Sequence, residues 1–321
     1  MEVKIAGTGY YLPKHVLHND DIAKFVDTTD EWIRQRVGII SRHIADEHET
    51  NVFMASEAAK NALKAANLDA DQIGLIIVAT STPDNIMPST ACEVQHRLGI
   101  SGCPAFDVNA ACSGFIYALS IAHQFFLAGT VKHALIIGSE RMSRVIDWRD
   151  RGTCILFGDG AGAVVLSASD QPGILGSYIH ADGQYKELLQ VPNNLPTKAF
   201  EGIQLEAKLT MQGNKVFRYA VTMLEQVVLE VLEKQGLDKS AIDWLVPHQA
   251  NERIIIATAK NLGLSMDKVV LTLPTQGNTS AASIPLALAY AIEQKQIKRG
   301  ELLLLEAFGA GFVWGAALIR Y

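Results

Sequence analysis

Two spacings of apolar residues alternate along the chain. Runs in which almost every position is apolar, such as Gly74-Leu-Ile-Ile-Val-Ala-Thr80, residues 134–138 and residues 302–305, have the length of strands buried on both faces. That is the pattern of a parallel sheet covered by helices. Residues 1–10 predict a further strand, ending in Gly7-Thr-Gly9, and residues 105–108 a short one. Elsewhere apolar residues recur every three or four positions. This spacing predicts an alanine-rich buried helix over 50–67, helices over 90–98 and 115–128, and the clearest amphipathic helix over 214–235. In the last of these Val216, Phe217, Ala220, Leu224, Val227, Val228, Val231 and Leu232 share a face, and Gly236 stands at the stop position. Residues 28–39 begin as a helix with Thr28 or Thr29 as N-cap. Residues 153–166 read as a strand, a Gly158-Asp-Gly160 turn and a second strand; residues 170–210 are less regular.

The second half repeats the first. Ile73-Gly-Leu-Ile-Ile-Val-Ala-Thr80 is echoed by Ile242-Asp-Trp-Leu-Val-Pro-His248, and His96-Arg-Leu-Gly-Ile100 by Lys260-Asn-Leu-Gly-Leu264. Asn109-Ala-Ala-Cys-Ser-Gly114 returns as Gly277-Asn-Thr-Ser-Ala-Ala-Ser283, residues 133–138 as 301–306, and residues 160–166 as 311–319. Each match is weak alone, but five in one order mark an internal duplication. The chain therefore predicts two α/β halves of about 150 residues, 1–170 and 171–321. When such halves pack about a pseudo-twofold, equivalent loops at the carboxyl ends of their strands meet, where ligands bind.

Composition narrows the class. Of 321 residues 49% are hydrophobic and 19% charged, which predicts a large core and a surface buried in an oligomer. A net charge of −6 argues against a nucleic-acid partner. The four cysteines, Cys92, Cys103, Cys112 and Cys154, show neither C-x-x-C nor metal-ligand spacing. Met1-Glu-Val-Lys-Ile-Ala6 reads as a strand rather than a secretion signal, and the apolar runs are too short to span a bilayer. Together these predict a soluble cytoplasmic protein with reduced thiols and no metal.

One cysteine stands out. Cys112 falls where a short strand gives way to a helix, among the small residues Ala110, Ala111, Ser113 and Gly114. Unpaired N–H groups at a helix N-terminus favour a thiolate there, although most free cysteines are small buried hydrophobes. The duplication supplies partners: His248 and Asn278 lie on the corresponding loops of the second half, and Ala307-Phe-Gly-Ala-Gly311 offers backbone N–H groups. Cysteine, histidine and asparagine on one pocket suggest acyl transfer through a thioester, with the helix start and residues 309–311 as oxyanion donors. Two roles for His248 and Asn278 remain open: a base oriented by an amide, as in cysteine proteases, or paired N–H donors to the enolate left when a malonyl thioester loses CO₂. Trp32 with Arg34 and Arg36 is either an amphipathic surface helix with its indole turned inward or a shelf for a flat anionic ligand such as a nucleotide.

Asn109-Ala-Ala-Cys-Ser-Gly-Phe115, Val246-Pro-His-Gln-Ala-Asn251, Gly277-Asn-Thr-Ser-Ala-Ala-Ser283 and Phe308-Gly-Ala-Gly-Phe312 together resemble the beta-ketoacyl-[acyl-carrier-protein] synthase III family. These are the initiating condensing enzymes of bacterial type II fatty acid synthesis. The likeness runs from Gly7-Thr-Gly-Tyr-Tyr-Leu-Pro13 to Trp314-Gly-Ala-Ala-Leu-Ile-Arg320. It implies the thiolase-like α/β fold, two duplicated halves in layers of helices and mixed sheets. It implies Cys112 as the acylated nucleophile, His248 and Asn278 as the decarboxylation and condensation pair, and the backbone of Cys112 and Gly311 as the oxyanion hole. The substrates implied are an acyl-CoA primer, which is not a cofactor, and malonyl-acyl-carrier protein; the assembly implied is a homodimer.

The resemblance also assigns the approaches to the cysteine. Trp32 and Arg151 correspond to the pair that sandwiches the CoA adenine, with Thr28 beside them and Arg36 for phosphate. Gly213, Phe217 and Asn251 correspond to the pantetheine tunnel. Met142 and Phe157, with Met87 from the neighbouring subunit, correspond to the acyl pocket, and the adaptable Met87 leaves primer length open. Gln249, Ala250, Asn251, Glu252 and Arg253 match the carrier-protein docking segment, and Arg218, Arg253 and Lys260 are the cations expected at its face. Glu252 departs from the family, where an apolar residue is common.

Competing readings fit less well. A papain-like protease would carry Cys-Gly-Ser-Cys-Trp and no duplication. A biosynthetic thiolase needs a second cysteine in the last glycine loop, and a chain-elongating synthase a second histidine at position 278. The intact triad argues against a non-catalytic homologue. A relative that loads another acyl group for a secondary metabolite or signalling molecule is the runner-up.

Overall fold

The computed structural model describes residues 2–192 and 208–321. Its first sheet contains β1 (Glu2–Tyr11), β2 (Ile76–Ala79), β3 (Ala105–Val108), β4 (His133–Arg141) and β5 (Asp159–Ser169). β2 runs parallel to β3 on one side and β4 on the other, while β5 is antiparallel to both β4 and β1. The second sheet contains β6 (Ile174–Ala181), β7 (Trp244–Pro247), β8 (Leu302–Gly309) and β9 (Val313–Arg320). β7 is parallel to β8, and β9 is antiparallel to both β8 and β6. The two sheets share one topology, with β6, β9, β8 and β7 standing for β1, β5, β4 and β2. The counterpart of β3 shrinks to a single parallel bridge, Leu245 to Val269.

β6 lies inside the stretch that the sequence left irregular. Its residues are mostly half-buried at a sheet edge, so it carries no continuous apolar run. Residues 193–207 of that stretch lie outside the described residues.

Seven principal helices make the layers: α1 (Asp30–Val37), α2 (Asn51–Ala66), α3 (Thr90–Arg97), α4 (Gly114–Leu127), α5 (Gly213–Lys234), α6 (Glu252–Leu262) and α7 (Ser283–Glu293). α4 and α7 fill the space between the sheets, and both are apolar around most of their circumference, as a buried helix requires. α2 and α3 cover the outside of the first sheet, α5 and α6 the outside of the second. The strands sort their side chains accordingly. Ile77, Ala79, Leu303 and Leu305 face the central helices, whereas Ile76 and Val78 face α2, and Leu302 and Leu304 face α5 and α6. Burial on both faces is why these strands show no polar alternation. No helix among the described residues is long and apolar enough to cross a membrane.

Helix ends follow the sequence with one choice resolved. Thr29, not Thr28, caps α1 by accepting the Trp32 N–H, and Thr50 caps α2. Glycine is where the sequence misleads. Gly158-Asp-Gly160 is not a turn: Asp159 opens β5, which follows a short helical turn, Arg151–Cys154. Gly162, within the same strand, lies so near α7 that a Cβ would stand 2.3 Å from Leu286 N. Gly7 and Gly9 likewise sit within β1, where a Cβ would come within 2.3 Å of Ala66 N and Ala62 N on the alanine-rich α2. Close helix approach and turns both select glycine, and only the distant neighbour distinguishes them.

Gly162→Ala therefore drives α7 off the sheet and is expected to cost about 2–3 kcal/mol of unfolding free energy in urea titrations. Gly183→Ala, with nothing within 4 Å of its Cβ, is expected to stay within about 0.5 kcal/mol of the parent. Equal effects of the two would contradict the packing argument.

Candidate active site

The duplication brings two equivalent junctions face to face. Asn109 Oδ1 accepts the Ala111 N–H (3.4 Å), and Asn278 Oδ1 accepts the Ser280 N–H (2.8 Å). Ala111 and Ser280 then both take positive φ, 44° and 50°. Each opens a short 3₁₀ turn, Ala111–Ser113 and Ser280–Ala282, that leads into α4 and α7. By this correspondence Cys112 matches Ala281. The halves share a backbone device, and only one of the two turns carries a cysteine.

Cys112, His248 and Asn278 line one cavity of about 520 Å³, with Phe157, Glu306 and Phe308 around them. A second chamber of about 470 Å³ opens on the other side of Cys112, lined by Met142, Phe157, Ser280 and Gly311 among others. The last glycine loop presses on the cysteine: a Cβ at Gly309 would lie 2.7 Å from Cys112 N.

The electrostatics correct one expectation. Burial pushes the Cys112 thiol up to about 12, a hydrogen bond with Ser280 works the other way, and the charge of Glu140 adds to the rise. Desolvation outweighs the helix N-terminus, so the unliganded site holds a thiol rather than a thiolate. Burial also lowers His248, to about 3, and keeps its imidazole neutral. Its Nδ1 is 2.6 Å from Ser283 Oγ, whose oxygen also accepts the Gln249 N–H at 3.4 Å. With the Ser283 hydroxyl donating to Nδ1, the neutral imidazole carries its proton on Nε2. Asn278 does not orient His248, because its Oδ1 is held by Ser280 N–H; this leaves its amide Nδ2 free. The protease arrangement is absent.

Toward the mouth, Trp32, Arg36, Gly213, Phe217, Ala250 and Asn251 line the same cavity. The Arg151 guanidinium lies over the Trp32 ring at 4.7 Å and donates to Asp27 O at 3.0 Å. Trp32 is half-buried against the outer core of the second half, and its ring carries the Arg151 guanidinium. Thr28 does not line the cavity; its hydroxyl is buried without a partner. Asn251 Oδ1 caps α6 by accepting the Arg253 N–H.

In the docking segment one expectation fails. Gln249 is 1% exposed and cannot meet a partner. Its amide donates to Pro247 O and Val270 O and accepts from Thr272 N and Leu273 N, so it clamps the loop. Glu252 packs against Gly38 at the end of α1. Arg253 lies at the cavity rim, and Arg218, Arg253 and Lys260 are exposed. Met87 is 81% exposed and reaches neither chamber of its own chain. The sequence reading missed Glu306, which burial raises to about 8 and whose Oε2 has no partner, and it missed Ser280, Ser283 and Glu140. An acid closing the apolar run 302–305 was a visible signal for Glu306; the two serines carried none beyond the repeat.

Two duplicated α/β halves, with a cysteine heading one central helix and histidine and asparagine supplied by the other half, define a thiolase-like condensing enzyme. Comparison with known proteins gives the family. The model of "3-Oxoacyl-[acyl-carrier-protein (ACP)] synthase III" matches residues 106–183, and that of its C-terminal part matches residues 232–321. A beta-ketoacyl-[acyl-carrier-protein] synthase III of Xylella fastidiosa is 58% identical over 318 residues, 99% of this chain and 98% of that one. Another, of Salmonella arizonae, is 57% identical over the full length of both. The crystal structure of 3-oxoacyl-[acyl-carrier-protein] synthase III from Aquifex aeolicus superposes with a TM-score of 0.94 at 49% identity, covering 99% of this chain and 100% of that one. The chain belongs to the 3-oxoacyl-[acyl-carrier-protein] synthase III family.

A neutral His248 has a thermodynamic consequence. The unfolded imidazole titrates near 6.5 and the folded one near 3, so below pH 6.5 the unfolded chain binds the proton first and stability falls. Between pH 7 and pH 5 the unfolding free energy is expected to drop more in the parent than in His248→Gln, approaching about 1.4 kcal/mol per pH unit. Parallel losses in urea titrations would mean that His248 is not held neutral.

Proposed function

We propose that the enzyme joins a short acyl group, most simply acetyl, from acyl-CoA to malonyl-acyl-carrier protein. The products are a 3-oxoacyl-acyl-carrier protein, CO₂ and CoA, in the step that initiates fatty acid synthesis. One observation carries the reading: a neutral His248, held at Nδ1 by Ser283, and Asn278, held at Oδ1 by the Ser280 N–H, line the Cys112 cavity together, and in this reading their Nε2–H and Nδ2–H are its two donors. Cys112 first takes the acyl group and CoA leaves. The malonyl thioester then loses CO₂, and the two donors hold the oxygen of the enolate. The carbanion attacks the acyl-cysteine, and the N–H groups of Cys112 and Gly311 receive the tetrahedral oxyanion.

The approaches fit this division. CoA enters past Arg36, its adenine lifting Arg151 from Trp32, and pantetheine runs by Gly213, Phe217 and Asn251. The carrier protein docks on Arg218, Arg253 and Lys260, beside Ala250. The acyl chain occupies the chamber of Met142 and Phe157, closed by Met87 of a second copy. Strong exposure of Ile86 and Met87 supports that homodimer. Residues 1–170 and 171–321 are the duplicated units, no cofactor takes part, and the enzyme works in the cytoplasm.

Incubation with acetyl-CoA is expected to add one acetyl mass to Cys112, and Cys112→Ser to abolish it. His248→Ala and Asn278→Ala are expected to keep this acylation and to lose malonyl decarboxylation by roughly 100-fold or more. Loss of acylation in either would sink the donor-pair role, and silence toward every short acyl-CoA in a mass-shift screen would sink the primer.

A further inference from the structure

The two turns that meet at the cavity are tied to one another from behind by one buried side chain. Glu140, near the end of β4, is fully buried and accepts the Ser81 N–H at 3.1 Å, the Thr80 hydroxyl at 3.3 Å, the Thr82 hydroxyl, and the Ser280 hydroxyl at 3.0 Å. These donors come from two places in the chain: residues 80–82 follow β2, and Ser280 opens the turn before α7. Each place leads on to one turn of the site. The Ser280 N–H holds Asn278 Oδ1 at 2.8 Å, so the bond to Glu140 grips the residue that fixes Asn278. Ser81 reaches the other turn. Its hydroxyl donates to Asn109 Oδ1 at 3.2 Å, the same oxygen that accepts the Ala111 N–H beside Cys112. An unbroken run of hydrogen bonds therefore passes from Asn278 through Ser280, Glu140, Ser81 and Asn109 to Ala111. It joins the turn of Asn278 to the turn of Cys112.

The internal repeat shows that the turn itself does not need this tie. The turn Ala111–Ser113 packs on β8 as the turn Ser280–Ala282 packs on β4. At the equivalent positions of that copy, alanine stands for Ser280 and Phe308 for Glu140. Hydroxyl and carboxyl are both missing there, yet Ala111 keeps its φ of 44° and its N–H stays on Asn109 Oδ1. A buried carboxyl costs desolvation free energy, which the equivalent place in the other half does without. What Glu140 does and Phe308 cannot is connect one turn to the other.

We propose that Glu140 is a positioning residue that holds the Cys112 turn and the Asn278 turn in fixed register across the cavity. The inference rests on the condensation proposed above. Glu140 lines neither chamber and acts only through the two serines. Its two arms are separable. The Ser280 arm fixes Asn278, on which malonyl decarboxylation depends. The Ser81 arm fixes Asn109 and through it the turn of Cys112, on which acylation depends. Cutting one arm leaves the Asx bond of each turn in place but frees one turn to drift against the other, and a small displacement of a reacting group is costly in rate. Ser280→Ala suits the backbone, because Ala111 holds the equivalent conformation without a hydroxyl.

The test separates the two half-reactions in the full-length protein: acetylation of Cys112 by acetyl-CoA, read by mass in a single turnover, and CO₂ release from malonyl-acyl-carrier protein. In Ser280→Ala the kcat of CO₂ release is expected to fall on the order of tenfold with KM and acetylation rate within about twofold of the parent. In Ser81→Ala the acetylation rate is expected to take the loss, again on the order of tenfold. Both half-reactions falling together in step with urea stability would overturn the proposal, since that is what general support of the fold predicts. Unchanged rates in Ser280→Ala would overturn it too. A second measurement needs no substrate. Glu140→Gln turns amide N–H groups toward groups that already donate, and is expected to speed hydrogen exchange in both turns, in peptides spanning residues 105–114 and 276–284. Faster exchange in one turn alone, or in neither, would overturn the tie; if Glu140→Gln fails to fold, the serine variants decide. A parent enzyme that neither takes acetyl nor releases CO₂, yet shows this exchange pattern, would refute the proposed function and leave the tie standing.

Discussion

Backbone-to-backbone contact between helices and sheets is the constraint on which the rest depends. α7 lies on β5 at Gly162, and α2 lies on β1 at Gly7 and Gly9, with no room for a Cβ at any of the three. Gly138 of β4 is equally tight against the turn before α7, where a Cβ would meet Ala281 O at 2.3 Å. Such closeness keeps the central layer one helix thick, so the starts of α4 and α7 arrive in the same plane. The two Asx-stabilised turns at those starts then stand opposite one another, and the cavity forms between them. Replace the small residues and the helices separate, taking the cysteine from its histidine and asparagine.

Within that frame the site works by limiting buried charge. A thiol raised by burial and an imidazole lowered by it are both neutral at physiological pH. They therefore form no thiolate–imidazolium pair of the kind a cysteine protease uses. Glu140, raised by burial, is met by hydroxyl and amide donors. In the proposed condensation, neutral donors from His248 and Asn278 would suit an enolate that exists only after CO₂ has left, because they stabilise developing charge without binding the incoming carboxylate as a salt bridge would. Polarity at each donor is set from behind, by Ser283 for the imidazole and by the Ser280 amide for the asparagine. Ser280 is used twice: its N–H holds Asn278 Oδ1, and its hydroxyl donates to Glu140.

The duplication explains how one pocket is lined from both halves. One junction supplies Cys112 at the head of α4. Its copy supplies Asn278 and Ser280 at the head of α7, with alanine at the position equivalent to the cysteine.

Much of this was written locally. Continuous apolar runs, alanine-rich and amphipathic spacings, and the echo of Asn109-Ala-Ala-Cys in Asn278-Thr-Ser-Ala gave the α/β class, the repeat and the residues Cys112, His248 and Asn278. The motifs were legible because they are contiguous and depend on neighbours a few positions away. What the sequence could not state depends on groups far apart in the chain. Whether Gly158-Asp-Gly160 turns or continues is decided by α7, more than a hundred residues on, and the strand β6 is defined only by pairing with β9. Gln249 looked like a surface residue of a docking segment until four backbone groups enclosed its amide. The thiol of Cys112 sits at a helix start, as its position foretold, yet it is protonated, because desolvation acts from every side while the helix acts from one. Local pattern singled out the residues that meet at the cavity; burial and distant partners, which exist only in the folded chain, decided their charge states and hydrogen bonds.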